Sequence, residues 1–260
     1  MHLTPGFSAR AFSLLLGSLL LAAAEACVAQ AYRPSRQDIV HPVFAAQGMV
    51  STQEARATRV GVEVLKGDGN AVDAAVAIGF VLAVTLPEAG NLGGGGFMLI
   101  HRAEVGDTLA VDYREAAPAA ASRDMYLDGE GQVDTERLRF SHQAVAVPGS
   151  VAGLTLALER YGTRPLNEVL APAIALARTG IVVDRELAIS LAQATPHLRR
   201  WPEAARVYLK PDGAAYATDE LWYSPIWRGP WNRLPAPGAR RSMKGRSPRR
   251  LLPRCALTEG

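Results

Sequence analysis

The hydrophobic pattern of the chain changes period several times. Residues 71–85, AVDAAVAIGFVLAVT, are apolar at nearly every position, and a helix that is apolar all round belongs in a core. Its alanines allow neighbours close, Asn70 can cap its start, and Pro87 ends it. Upstream, residues 43–50 read as a short strand. Ser51-Thr52-Gln53-Glu54 then has the spacing of a capping box, in which the serine takes an orphan helix amide and the glutamate reaches back. Val60, Val62, Val64 and Leu65 carry this first helix to Gly67, where a positive φ would suit a helix end.

Beyond the glycine-rich residues 88–96 the reading turns to strands. Residues 97–102 and 108–113 read as two strands joined by a Gly106-Asp107 turn. Residues 116–138 look irregular and 144–147 form a short strand. A helix over 149–161 puts Leu154, Leu158 and Tyr161 on one face. Further helices run from Pro165 through Arg178 and from near Asp184 to Pro196. Helices on either side of a strand pair predict a layered α/β (α+β) fold with an antiparallel sheet.

At 260 residues and 48% hydrophobic, the chain can bury a sizeable core. His2 and Arg10 precede an apolar run, AFSLLLGSLLLAAA, and the small-residue tripeptide Ala29-Gln30-Ala31. This reads as an export signal over residues 1–31, cleaved after Ala31. The run is too short for a stable membrane span, which needs about 20 apolar residues, so a periplasmic or secreted protein is expected. Glu25 argues against a lipid anchor on Cys27. With Cys255 the only other cysteine, no intrachain disulfide is expected.

The net charge of +3 conceals an asymmetry. Residues 223–260 hold nine Lys or Arg against Glu259 alone, and six of the 17 prolines; residues 32–222 carry 18 basic and 23 acidic side chains, a net of −5. The folded body is therefore acidic. A Pro- and Arg-rich tail without apolar period is expected to be disordered. It could be a phosphate-binding arm or an ordinary solvated tail. The abrupt change at Trp222, into Arg, Pro, Gly, Ala and Ser, favours an altered reading frame in a GC-rich gene, and no nucleic-acid partner is expected.

Few residues suggest chemistry unaided. Gly93–Gly96 lacks the Gly-Lys-Ser/Thr ending of a phosphate loop, so close backbone packing is the better reading. Ser150, in Pro148-Gly149-Ser150-Val151-Ala152-Gly153, lacks the spacing of a nucleophile elbow and reads as a helix cap. Histidines 2, 41, 101, 142 and 197 have no metal-ligand spacing, so no metal is expected. Arg114, just after a strand, could pair with Glu115 or Asp112, or its guanidinium could grip a carboxylate through two parallel hydrogen bonds.

Taken in order, GNAVDAAVAIGFVLAVTLPEAGNLGGGGFMLIH, VDYREAAPA and AVAVPGSVAGL resemble the large-subunit half of the γ-glutamyltransferase (glutathione hydrolase) family, over about residues 40–222. The resemblance implies part of the four-layer αββα sandwich of N-terminal nucleophile hydrolases. It also implies acyl transfer of γ-glutamyl groups, from glutathione and its relatives, to water or an amino acid, without a cofactor. Asp112-Tyr113-Arg114-Glu115 matches the family's Asp-x-Arg-Glu motif, which makes Arg114 the expected ligand of the substrate α-carboxylate. The family's nucleophile is a threonine exposed by self-cleavage, which opens a small subunit paired with the large one. No segment here matches it, so no catalytic residue is assigned and the small subunit is expected to be absent. A non-catalytic fragment or γ-glutamyl binder, or the relic of a glutaryl or cephalosporin acylase of the same superfamily, are the alternatives.

Overall fold

The computed structural model describes residues 43–89, 92–223 and 256–259. The expected export signal and most of the basic tail lie outside the described residues. The chain divides into two units, Met1–Gln47 and Gly48–Gly260. Of the first, residues 43–47 are described, and they are irregular rather than extended into the expected strand.

In the second unit, helix α1 spans Ala55–Lys66. Its cap is not Ser51. The Glu54 carboxylate accepts from the N–H groups of Arg56 and Ala57 at 3.0 and 2.9 Å, while the Thr52 hydroxyl bonds to the Glu54 carbonyl at 2.7 Å. The cap thus sits three residues after the expected Ser51, and a longer side chain does the serine's work. At the other end Gly67 stays at φ −86, and the left-handed residue is Asp68 at φ 62. Gly67 N–H still closes a helical bond to Glu63 O, which moves the reversal one residue on. Glu54→Ala should therefore cost about 1 kcal/mol, and Ser51→Ala no more than about 0.5 kcal/mol, in urea unfolding.

Helix α2, Ala71–Thr85, matches the apolar run, and Val76, Ala77, Phe80, Val81 and Val84 are fully buried along it. Asn70 and Asp73 close a capping box at its start. Against α2 pack α1 and two later helices, α4 (Ser150–Tyr161) and α5 (Leu166–Thr179). A short helix α3, Thr135–Phe140, precedes them inside the stretch expected to be irregular. Asp134 nucleates it by accepting from Arg137 N–H at 2.9 Å. Residues 142–144 form a 3₁₀ turn that takes in the first residue of the expected 144–147 strand, and of that stretch only Val147 pairs, with Ala116.

Strands β1 (Phe97–Arg102) and β2 (Asp107–Asp112) form the expected antiparallel hairpin, shifted so that Asp107 belongs to the strand. Gly106, at φ +77, makes the turn, and Asp107 pairs across it with Arg102. Ile100, Leu109 and Val111 face the helices. Phe97 and Leu99 point the other way and are 61% and 75% exposed. Strand β2 has a second antiparallel neighbour, giving the order β1-β2-β5. That neighbour is β5 (Ala256–Glu259), from within residues 223–260.

Beyond α5 a smaller cluster forms. β3 (Ile181–Val182) pairs with β4 (Leu221–Trp222), and between them lie α6 (Arg185–Leu198) and α7 (Pro202–Tyr208). Ile181, Val183, Leu187, Leu191 and Trp222 make its core. The Trp222 indole N–H donates to Val207 O at 3.0 Å.

Candidate functional site

Strand β2 ends at Asp112, but its backbone ladder runs one residue further. Tyr113 N–H donates to Gly96 O at 3.0 Å, and Gly96 N–H returns to Tyr113 O at 3.4 Å. The chain then pairs again at Ala116, which exchanges two backbone bonds with Val147 at 3.1 and 2.9 Å. Arg114 and Glu115 sit on the short span between these fixed points.

What holds that span is an absence of side chains around Tyr113. A Cβ on Gly95 would lie 2.6 Å from Tyr113 O and 2.7 Å from both Glu115 N and Glu115 Oε2; one on Gly96 would lie 3.0 Å from the Tyr113 ring. A Cβ on Gly149 would overlap Tyr113 O, and one on Gly153 would overlap the Tyr113 side chain. The Gly94 carbonyl accepts from both Gly149 and Ser150 N–H, at 2.9 and 3.0 Å, at the start of α4. The glycine loop, the Asp-Tyr-Arg-Glu turn and the Pro-Gly-Ser helix start therefore meet at one tyrosine. Burial pushes the Tyr113 phenol above its ordinary pKa, so it is a neutral donor, and its hydroxyl gives a bond to Phe97 O at 3.4 Å.

Arg114 points out of this cradle and is exposed. Its backbone N–H is taken by Asp112 Oδ1 at 3.0 Å, and its guanidinium lies over the Phe97 ring, 5.7 Å from the centroid. Among the described residues neither Glu115 nor Asp112 forms an ion pair with it. The pairing with neighbours that the sequence left open is thus not the one formed. A guanidinium lying over a ring without an ion-pair partner can still offer N–H donors to a carboxylate.

The other candidates lie elsewhere. Ser150 is buried as the first residue of α4, with Gly149 as the cap and no side-chain capping bond. Its amide rather than its hydroxyl does the work, so the cap expected of the serine is not formed. His101 bonds to Thr108 Oγ1 at 3.0 Å at the far end of the hairpin, about 13 Å along the strand from Phe97. His197 stacks on Phe140 at 4.2 Å and His142 meets Trp201 edge-on at 4.7 Å. Both line a cleft of about 350 Å³ between α3 and the end of α6, to which no residue of the Arg114 turn contributes. Among the described residues no group of three His, Cys, Asp or Glu could hold a metal ion, and no helix is long and apolar enough to cross a membrane.

The γ-glutamyltranspeptidase family profile matches residues 57–247. The chain belongs to that family. Its match includes the whole Arg114 turn and extends past Trp222 to residue 247, beyond the point where the sequence motifs led the resemblance to be expected to end. Over 179 residues the chain is 54% identical to the glutathione hydrolase proenzyme of Escherichia coli K12, covering 69% of this chain and 31% of that protein. The chain thus spans about a third of the length of that relative. Among solved structures, γ-glutamyltranspeptidase from Helicobacter pylori superposes with a TM-score of 0.70 at 37% identity, covering 72% of this chain and 53% of that one. Cephalosporin acylase from Bacillus halodurans superposes with a TM-score of 0.63 at 28% identity, covering 75% of this chain and 36% of that one. Mixed helix and strand in this family is what the layered α/β pattern required.

Proposed function

We propose that this chain forms the γ-glutamyl-recognising part of a glutathione hydrolase. In this reading Arg114 holds the α-carboxylate of glutathione or a related γ-glutamyl amide, and the acyl group passes to water or an amino acid. The observation that carries it is an exposed guanidinium on the family's Asp-x-Arg-Glu motif, fixed by a glycine-cradled tyrosine and unpaired with either neighbouring carboxylate. Identity favours glutathione over an acylase substrate, being 54% to the hydrolase and 28% to the cephalosporin acylase.

The uncovered face of β1 and β2, with Phe97 and Leu99 exposed, has the apolar character of a layer inside an αββα sandwich, whose second sheet a small subunit would contribute. In this reading the acyl-transfer nucleophile is the threonine that the family resemblance puts at the start of that subunit. In the same reading residues 1–31 serve as an export signal, and the enzyme works in the periplasm or outside the cell.

Titration calorimetry with glutathione tests the recognition step. Arg114→Ala should weaken binding about tenfold to a hundredfold, the loss expected for hydrogen bonds to a charged group. Equal binding by wild type and variant would remove Arg114 from the site.

A further inference from the structure

We infer that Phe97 is a positioning residue for Arg114: its ring holds the guanidinium by the face and leaves the N–H edge free for the substrate carboxylate. The inference rests on the reading of Arg114 given above. Within this chain the Phe97 ring lies on the exposed face of the sheet. It opens β1 on the uncovered side of the sheet at 61% exposure, where burial gives it little stabilisation. Yet the guanidinium carbon of Arg114 lies 5.7 Å from its centroid, inside the roughly 6 Å over which a ring quadrupole attracts a cation.

Ring and cation are placed by the same backbone. Phe97 is the register partner of Asp112, whose carboxylate takes the Arg114 N–H. Phe97 O accepts the Tyr113 hydroxyl, and Gly96 beside it pairs with Tyr113. Asp112 is therefore spent on the backbone, and Glu115, next to Arg114 in sequence, forms no ion pair with it among the described residues, so the ring is the group left to orient the guanidinium. An aliphatic side chain would cover similar area but has no quadrupole, so it would leave the long arginine side chain free to rotate.

The test uses the full chain, with L-γ-glutamyl-p-nitroanilide and its 4-aminobutyryl counterpart, which lacks the α-carboxylate. Phe97→Leu should weaken binding of the first about two- to fivefold, Phe97→Tyr should restore it, and neither should change binding of the second. In ¹⁵N-edited spectra the Arg114 Nε–H resonance should carry a ring-current shift in wild type and Phe97→Tyr, and lose it in Phe97→Leu. A resonance that does not move in Phe97→Leu overturns the inference, whether or not either anilide binds. If Arg114→Ala weakens binding and Phe97→Leu does not, the positioning role fails while the Arg114 reading stands. Arg114→Ala binding as tightly as wild type overturns that reading instead.

Discussion

Gly149→Ala is expected to destabilise the chain by about 3 kcal/mol and to shift Arg114 with it, because the added methyl has nowhere to go. It would overlap Tyr113 O and lie 3.1 Å from Arg114 O. Both are backbone atoms, which cannot swing aside as a side chain can. The dihedral is not the obstacle: Gly149 sits at φ −114, open to any residue. Relief requires either moving the start of α4 away from Gly94 O, losing two backbone hydrogen bonds, or pushing the Tyr113–Glu115 span off its ladder. Gly153→Ala, one helical turn on, collides with the Tyr113 side chain instead, and a ring has some freedom to yield. Urea unfolding should rank the two in that order. Gly129→Ala, whose Cβ would meet nothing within 4 Å, should stay within about 0.5 kcal/mol of wild type. A Gly149→Ala midpoint equal to that of wild type would mean that Tyr113 is not seated against α4.

Asp73→Asn is expected to cost about 3 kcal/mol at neutral pH and to flatten the acid limb of the stability curve. Asp73 is fully buried in α2, yet it is not a lone charge. Its two oxygens accept from Asn70 N–H at 2.8 Å, Thr163 N–H at 2.8 Å, the Thr163 hydroxyl at 2.7 Å and Arg164 N–H at 3.0 Å. An asparagine amide offers one acceptor oxygen and turns two N–H groups toward donors, so several buried donors lose their partners. Burial by itself pushes the carboxyl pKa up. The hydrogen bonds from the Thr163 hydroxyl and from the amides of Arg164, Asn70 and Thr163 outweigh it and hold the group below the ordinary aspartate value.

A carboxyl depressed in the folded state stabilises fully above its unfolded value of about 4. That contribution is lost as pH falls through the folded value. The gap between wild type and Asp73→Asn in urea midpoint should therefore be wide at pH 7 and shrink as pH falls below about 4. A gap that stays constant across that range would show that the carboxylate is not the acceptor.

Local signals carried well where one stretch of chain was sufficient. The apolar run of α2 could be nothing but a buried helix, and Asn70 and Asp184 cap the helices that follow them. The hairpin followed from two apolar runs around Gly106. Boundaries failed where two local solutions competed. Ser51 and Glu54 could each cap α1, and the Thr52 turn decided between them. Gly67 and Asp68 could each take the left-handed step, and the last helical hydrogen bond decided that. The short pieces β3 and β4 left no readable pattern, because two residues cannot display a period and their partners lie about forty positions apart.

The sequence by itself determined the family, the central helix and the hairpin, since each rests on neighbouring residues whose spacing is written in the chain. Only the tertiary structure decided what the glycines are for and where the guanidinium lies. Gly95, Gly149 and Gly153 come from segments up to about sixty residues apart, and their shared purpose is the volume of one tyrosine. Arg114 lies over Phe97 rather than pairing with Glu115 because the hairpin register sets ring and cation side by side. Such contacts depend on excluded volume and on the register between distant strands, and neither quantity exists until the chain has folded.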